Sequence, residues 1–238
     1  MSQTPRYAIY YTPAAEHPLA QLGTEWLGRD AFTGEYVTRR EFPDLSNHDI
    51  DRLTSSPSHY GFHATMKAPF ELIAGQTEAK LLAHLEKFVL KQSAFDVRLA
   101  VRPLDQFLAL RLTENSEAMR TLHEACVKDF DGFRAALSYD DIERRRKANL
   151  SPEQDVRMLD WGYPYIFEDF RWHMTLSGRI LSDSTREKVL KFLEDLFQPV
   201  LAEHHRVDGI AVYRQVDRDA PFNIIARASF PALADQPV

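Results

Sequence analysis

The chain has 238 residues, 44% hydrophobic and 27% charged, the make-up of a globular protein that folds throughout and is long enough for one generous domain or two lobes sharing an interface. Its formal net charge of −6 at pH 7 works against sequence-independent binding of long nucleic acid, which depends on neutralising many phosphates, but leaves room for a small anion held by a few local cations. No apolar run approaches the thickness of a bilayer, and residues 1–11 lack the basic start and apolar stretch of a signal peptide, so the expectation is a cytoplasmic address with no membrane partner.

Residues 7–11 read as a strand and 17–27 as a helix, followed by a loop region to Pro57 and a strand over about 62–72. In 77–92, Leu81, Leu82, Leu85, Phe88 and Val89 recur at helical spacing behind a Thr77 cap. Strands at 95–101 and 107–112, separated by Pro103 and polar residues, suit a hairpin. A helix over 116–130 follows, and its helical apolar spacing makes the single cysteine, Cys126, a core residue. Residues 139–160 read as two short helices broken at Ser151-Pro152, where serine caps and proline takes the first turn. After the aromatic link Trp161-Gly162-Tyr163-Pro164-Tyr165 come a strand over 170–180, a helix over 184–197, and strands at 207–216 and 222–230.

This order contains a repeat. His63-Ala64-Thr65, helix, strand, strand is matched by His173-Met174-Thr175, helix, strand, strand, with similar internal lengths. The fold class predicted is α+β: two pseudo-symmetric lobes with antiparallel sheets around a central cleft. The first lobe would span about 1–135, the second about 161–232, and the helical connection about 139–160, all within one bilobal domain. Residues two apart on a strand share a face, roughly 6.5–7 Å apart. His63, Thr65 and Lys67 therefore face one way, as do Arg171, His173, Thr175, Ser177 and Arg179, with apolar residues on the opposite faces.

Paired by symmetry, two such polar faces line one cleft suited to a phosphate. Opening a phosphodiester needs a base on the attacking oxygen and an acid on the leaving oxygen, on opposite sides of phosphorus. Histidine fits both tasks because its pKa lies near neutrality. Threonine hydroxyls can donate to the non-bridging oxygens, and Lys67 or Arg179 can offset the charge that builds there. One His-x-Thr is a common accident of sequence; two in matching contexts point to chemistry.

At these residues the chain resembles the 2H phosphoesterase superfamily. More closely, Tyr60-Gly61-Phe62-His63-Ala64-Thr65-Met66-Lys67-Ala68-Pro69-Phe70, Phe170-Arg171-Trp172-His173-Met174-Thr175-Leu176-Ser177-Gly178 and Trp161-Gly162-Tyr163-Pro164-Tyr165 resemble its phosphonate-metabolism branch. The resemblance covers about residues 6–230. It implies catalytic histidines at His63 and His173 and phosphate-binding threonines at Thr65 and Thr175. It also implies a cyclic ribosyl phosphate as substrate, with 5-phosphoribosyl 1,2-cyclic phosphate the leading choice. Tyr60, Lys67, Ser177 and Arg179 are the further substrate-binding candidates.

No cofactor or metal is expected. His59 and His63 have the spacing of a helical zinc pair, but Gly61 and Pro57 argue against a helix there. His204-His205 reads as a surface pair, and His17, His48, His84 and His123 have no partners recognisable in sequence. The basic run Arg144-Arg145-Arg146-Lys147 is either a solvated helix face or a cover for the cleft that holds a second phosphate. The expected partner is a small phosphorylated sugar or nucleotide. The alternatives are an RNA-end or nucleotide 2′,3′-cyclic phosphodiesterase, disfavoured by the acidic charge, and a catalytically silent phosphometabolite-binding module.

Overall fold

A computed structural model describes residues 4–39 and 45–232; positions 40–44 of the expected loop lie outside the described residues. Strands β1 (Arg6–Tyr11), β2 (Ala64–Glu71), β4 (Leu99–Leu104), β5 (Phe107–Leu112), β6 (His173–Thr175), β8 (Gly209–Gln215) and β9 (Asn223–Ser229) form one antiparallel sheet in the order β4-β5-β6-β2-β1-β8-β9. Two further strands, β3 (Phe95–Val97) and β7 (His205–Val207), pair antiparallel with each other. The helices are α1 (Pro18–Leu27), α2 (Asn47–Tyr60), α3 (Glu78–Val89), α4 (Glu117–Asp129), α5 (Tyr139–Arg146), α6 (Pro152–Trp161) and α7 (Asp183–Leu201). None of them is long and apolar enough to cross a membrane, among the described residues.

The α+β class with antiparallel sheets holds, and so does the duplication. β2-α3-β3-β4-β5 corresponds to β6-α7-β7-β8-β9, and the two copies meet where β2 pairs with β6. The copies also exchange parts. The β4–β5 hairpin of the first copy pairs with β6, whereas the β8–β9 hairpin of the second adds to β1 and β2. α3 packs under β8 and β9, and α7 under β4 and β5. Each half of the sheet therefore mixes both halves of the chain, so the lobes in space do not follow the sequence boundary near 135.

Alternation along the strands sorts the two faces. Ile9, Ala64, Met66, Leu108, Leu110, Met174, Ile210 and Val212 join the main core beneath the helices. Ala8, Tyr10, Ala211 and Tyr213 form a smaller cluster with Phe222 and Ala31 on the other face. That other face carries the histidines.

Three elements differ from the sequence reading. Residues 47–60 are helical, where a loop was expected. Ser46 caps α2 by accepting from the Asp49 amide at 3.2 Å, and Ile50, Leu53, Thr54, Pro57 and Ser58 form its buried stripe. Since three of those five are Thr, Pro and Ser, the stripe carries little apolar signal. The expected strand over 170–180 shrinks to three residues, because the Leu176 and Ser177 amides both donate to the Leu108 carbonyl and the Gly178 amide donates to Leu53 on α2 at 2.6 Å. The strand over 95–101 divides at Arg98, its first part pairing with β7 and its second with β5.

Candidate active site

The site is built by one register. Ala64 of β2 lies opposite Met174 of β6, so the middles of the two triplets face each other across antiparallel strands. It follows that His63 lies across from Thr175, and Thr65 from His173, all four on the face opposite Ala64 and Met174. The imidazoles occupy diagonal positions, roughly 7–8 Å apart by strand geometry. That separation accommodates a phosphorus centre with a ring on each side.

Each ring is held in the same way. His63 Nδ1 lies 2.9 Å from the Gly61 carbonyl and His173 Nδ1 lies 2.6 Å from the Arg171 carbonyl, the same offset of two residues. A carbonyl only accepts, so Nδ1 carries the proton in the neutral ring and Nε2 is left as the reactive nitrogen. His63 Nε2 lies 3.5 Å from the Thr65 hydroxyl. Tyr10 of β1 stacks on His63, with centroids 3.9 Å apart at 23°. This buried phenol fixes the ring plane and keeps water from one face.

Burial lowers the pKa of both rings. His63 falls to about 4, chiefly through desolvation and against the opposing pull of the Gly61 carbonyl; the nearby His173 adds a smaller lowering. His173 is also lowered, first by desolvation, then by Arg171 and Arg111 after the opposing Arg171 carbonyl. Near pH 7 both imidazoles of the free protein are therefore neutral. A bound phosphate anion would favour protonation of one of them.

Other expected contacts do not reach this face. Lys67 is buried, and its ammonium donates to the Val127 carbonyl at 2.8 Å and to Asp131 at 2.9 Å. The Ser177 hydroxyl is buried, donating to the Gly178 carbonyl at 2.9 Å and accepting from the Leu108 amide at 3.0 Å. Arg179 donates to Gln106 at the exposed rim. Tyr60 does lie at the site, its ring 6.0 Å from His63 and stacked on Phe222 at 5.3 Å. The surface reading of His204-His205 is half corrected: His204 accepts from Arg98 at 2.9 Å, whereas His205 is buried against the Tyr11 hydroxyl. His59 does fall within a helix, contrary to expectation, and its Nε2 accepts from the Gln215 side-chain amide at 3.1 Å. Among the described residues no three His, Cys, Asp or Glu side chains are grouped to hold a metal.

Sequence reasoning passed over three neighbours. Arg111 of β5 is the direct cross-strand partner of His173 and, with Arg171, one of two cations that act on that ring. Its signal was available, a charge on the face opposite Leu108 and Leu110 in an apolar strand. Tyr10 reads as core in any alternation pattern, and only the register of β1 with β2, Tyr10 opposite Thr65, sets it beside His63. Tyr163, from the link before β6, lines a cavity of about 220 Å³ together with Thr65, Phe107, Tyr165 and His173.

Residues 65–223 match the family described as a protein of unknown function, DUF1045. Two curated relatives carry the name ribose 1,5-bisphosphate phosphokinase PhnN. The one from Janthinobacterium sp. (strain Marseille) is 36% identical over 221 residues, 91% of this chain and 49% of its own length. The one from Laribacter hongkongensis (strain HLHK9) is 30% identical over 223 residues, 92% of this chain and 50% of its own. The chain thus spans about half the length of the curated relatives it matches. Among solved structures, E. coli LigT complexed with phosphate aligns over 97% of this chain and 100% of its own at 11% identity and a TM-score of 0.43, and LigT complexed with NADP+ does so at 0.41. The family match spans most of the chain and takes in Thr65 and the whole second triplet, and the chain belongs to the DUF1045 family.

Proposed function

We propose that this chain is a 2H-type phosphodiesterase that opens a small cyclic phosphate by two-histidine general acid and base catalysis. One observation carries the reading: Ala64 opposite Met174 brings both triplets onto one face of one sheet. With a cyclic diester between the rings, one neutral Nε2 takes the proton of the attacking water as its oxygen bonds to phosphorus. The other imidazole, protonated, gives its proton to the ester oxygen that leaves. The ring opens to a phosphomonoester and an alcohol. Thr65 and Thr175 donate to the non-bridging oxygens, and Arg111 beside His173 offsets the charge that develops on them. An acid and a base contribute about 10²–10⁴ in rate each, so this pair needs no metal to account for a substantial acceleration.

The substrate we favour is a ribose cyclic phosphate, 5-phosphoribosyl 1,2-cyclic phosphate first, in phosphonate breakdown. Support comes from the ribose phosphate in the name of the half-matching relatives, the resemblance of the flanking motifs, and a net charge of −6 that disfavours long nucleic acid. Turnover of cyclic ribose and nucleotide phosphates in EDTA, followed by phosphorus NMR, tests this. A sugar cyclic phosphate should react fastest. Faster reaction of RNA ends, with steep salt dependence, would transfer the assignment to RNA.

A further inference from the structure

The basic run at 144–147 is neither a plain solvated face nor a uniform cover. Arg144 donates to Asp141 at 2.5 Å, and Arg146 pairs outward with Asp155 at 2.8 Å and Glu143 at 3.4 Å. Arg145 alone turns inward. Its guanidinium carbon sits 5.0 Å from the Tyr163 ring centroid, its Nε is buried with no hydrogen-bond partner, and no carboxylate pairs with it among the described residues.

Arg145 lines a cavity of about 110 Å³ with Arg6, Arg144, Arg218, Glu71 and Asp141. Four guanidiniums face two carboxylates. Asp141 takes Arg144 and Arg218, and Glu71 also takes Arg218 at 3.3 Å. Arg6 donates at 2.7 Å to the neutral side-chain carbonyl of Gln215. The surplus charge therefore rests on Arg6 and Arg145. Burial lowers the pKa of both, and both lie within electrostatic reach of the Tyr60 phenol, whose ring is 6.0 Å from His63.

Asp141 acts on both from a distance but pairs directly with neither, and two partly desolvated guanidiniums without a directly paired carboxylate are costly in the empty protein and favourable once a dianion fills the space. The position is telling. Tyr163, against which Arg145 packs at 5.0 Å, lines the cavity of Thr65 and His173, so one ring contact links Arg145 to that space. Pro69, in the lining of the arginine cavity, lies four residues along β2 from Thr65, roughly 13 Å by strand rise, and the Tyr163 ring under Arg145 belongs to the Thr65 side of that span.

We propose that Arg145 and Arg6 form a second anion subsite, which takes a terminal phosphomonoester on the same substrate whose cyclic diester lies between the histidines. The inference rests on the reading given under Proposed function, and makes the substrate class a bis-phosphorylated sugar.

Calorimetric titration with ribose 5-phosphate, which has a monoester and no diester, tests the subsite without turnover. Wild type and the outward-facing control Arg146→Met should bind it alike, Arg145→Met and Arg6→Met at least about tenfold more weakly. Thr65→Val should bind as wild type does. Apo Arg145→Met should melt no lower than wild type, since it loses an unpaired buried charge, and should lose the ligand-induced rise in Tm. In kinetics, wild type should prefer ribose 1,2-cyclic phosphate with a 5-phosphate over the same compound without it, and Arg145→Met should abolish the preference through KM. No binding by wild type at about 10 mM, or weakening by Thr65→Val in place of Arg145→Met, overturns the subsite. Binding as proposed with no turnover of any cyclic ester would instead overturn the phosphodiesterase reading and leave the subsite standing.

Discussion

At the scale of single residues, the site is two imidazoles anchored through Nδ1 to carbonyls two positions back, with Nε2 left to react. The depressed pKa of both rings has a kinetic consequence. Under the proposed mechanism the competent free protein carries one proton on the pair, and kcat/KM should peak between the two macroscopic pKa values that remove the protons. With both rings shifted down, the bell should centre on the acid side of 6.5. The kcat profile should sit higher, because a bound phosphate favours an imidazolium. A kcat/KM bell centred above pH 7 would contradict the desolvation described here. Thr65→Val and Thr175→Val each remove a donor to a charged oxygen and should each lose roughly 1.5–3 kcal/mol of transition-state stabilisation, read from kcat/KM.

At the scale of elements, what positions His63 is the end of α2. Gly61 stops that helix at φ 77°, ψ 179° and presents the carbonyl that holds His63. A Cβ there would stand 2.6 Å from the Ala31 Cβ, so Gly61→Ala combines left-handed strain with a clash. Its kcat should fall, with a shifted pH profile that simple destabilisation would not produce. Lys67 offers the contrast. Since its ammonium serves Asp131 and Val127, Lys67→Met should lower stability by roughly 1–3 kcal/mol, seen in denaturant melts, and leave KM unmoved. The paired triplets were legible because strand alternation has period two and the pattern occurs twice. Lys67 satisfies the same alternation, yet α4 and the turn after it bring Asp131 and Val127 to its ammonium, a tertiary contact that no period encodes. α2 stayed hidden because its buried stripe is largely Thr, Pro and Ser. The inward turn of Arg145 within a run of four cations depends on where Asp141 and Asp155 stand, which spacing alone does not show.

At the scale of the molecule, the duplicated copies meet between β2 and β6 and exchange hairpins, so the two His-x-Thr triplets are tied to one sheet and not to a hinge between separate lobes. Stability should carry the mark of the buried neutral rings. His63, His123 and His205 are each lowered to about 4, desolvation being the first cause. Between pH 6.5 and about 4 these rings bind more protons in the unfolded chain than in the folded one, so their contribution to stability falls as the pH falls across that window and is constant below it. Tm should drop from pH 7 to pH 4.5, and His205→Gln should flatten the slope; a Tm that rises on acidification would contradict it. The claim that both triplets form one catalytic unit is tested most directly by phosphorus NMR of a ribose cyclic phosphate in EDTA, with wild type, His63→Ala and His173→Ala side by side. Wild type should give a phosphomonoester, and each variant, folded by circular dichroism, should lose about 10²–10⁴ in kcat. A folded His173→Ala protein that keeps near-normal kcat across the pH range would show the second triplet to be structural and would contradict the account.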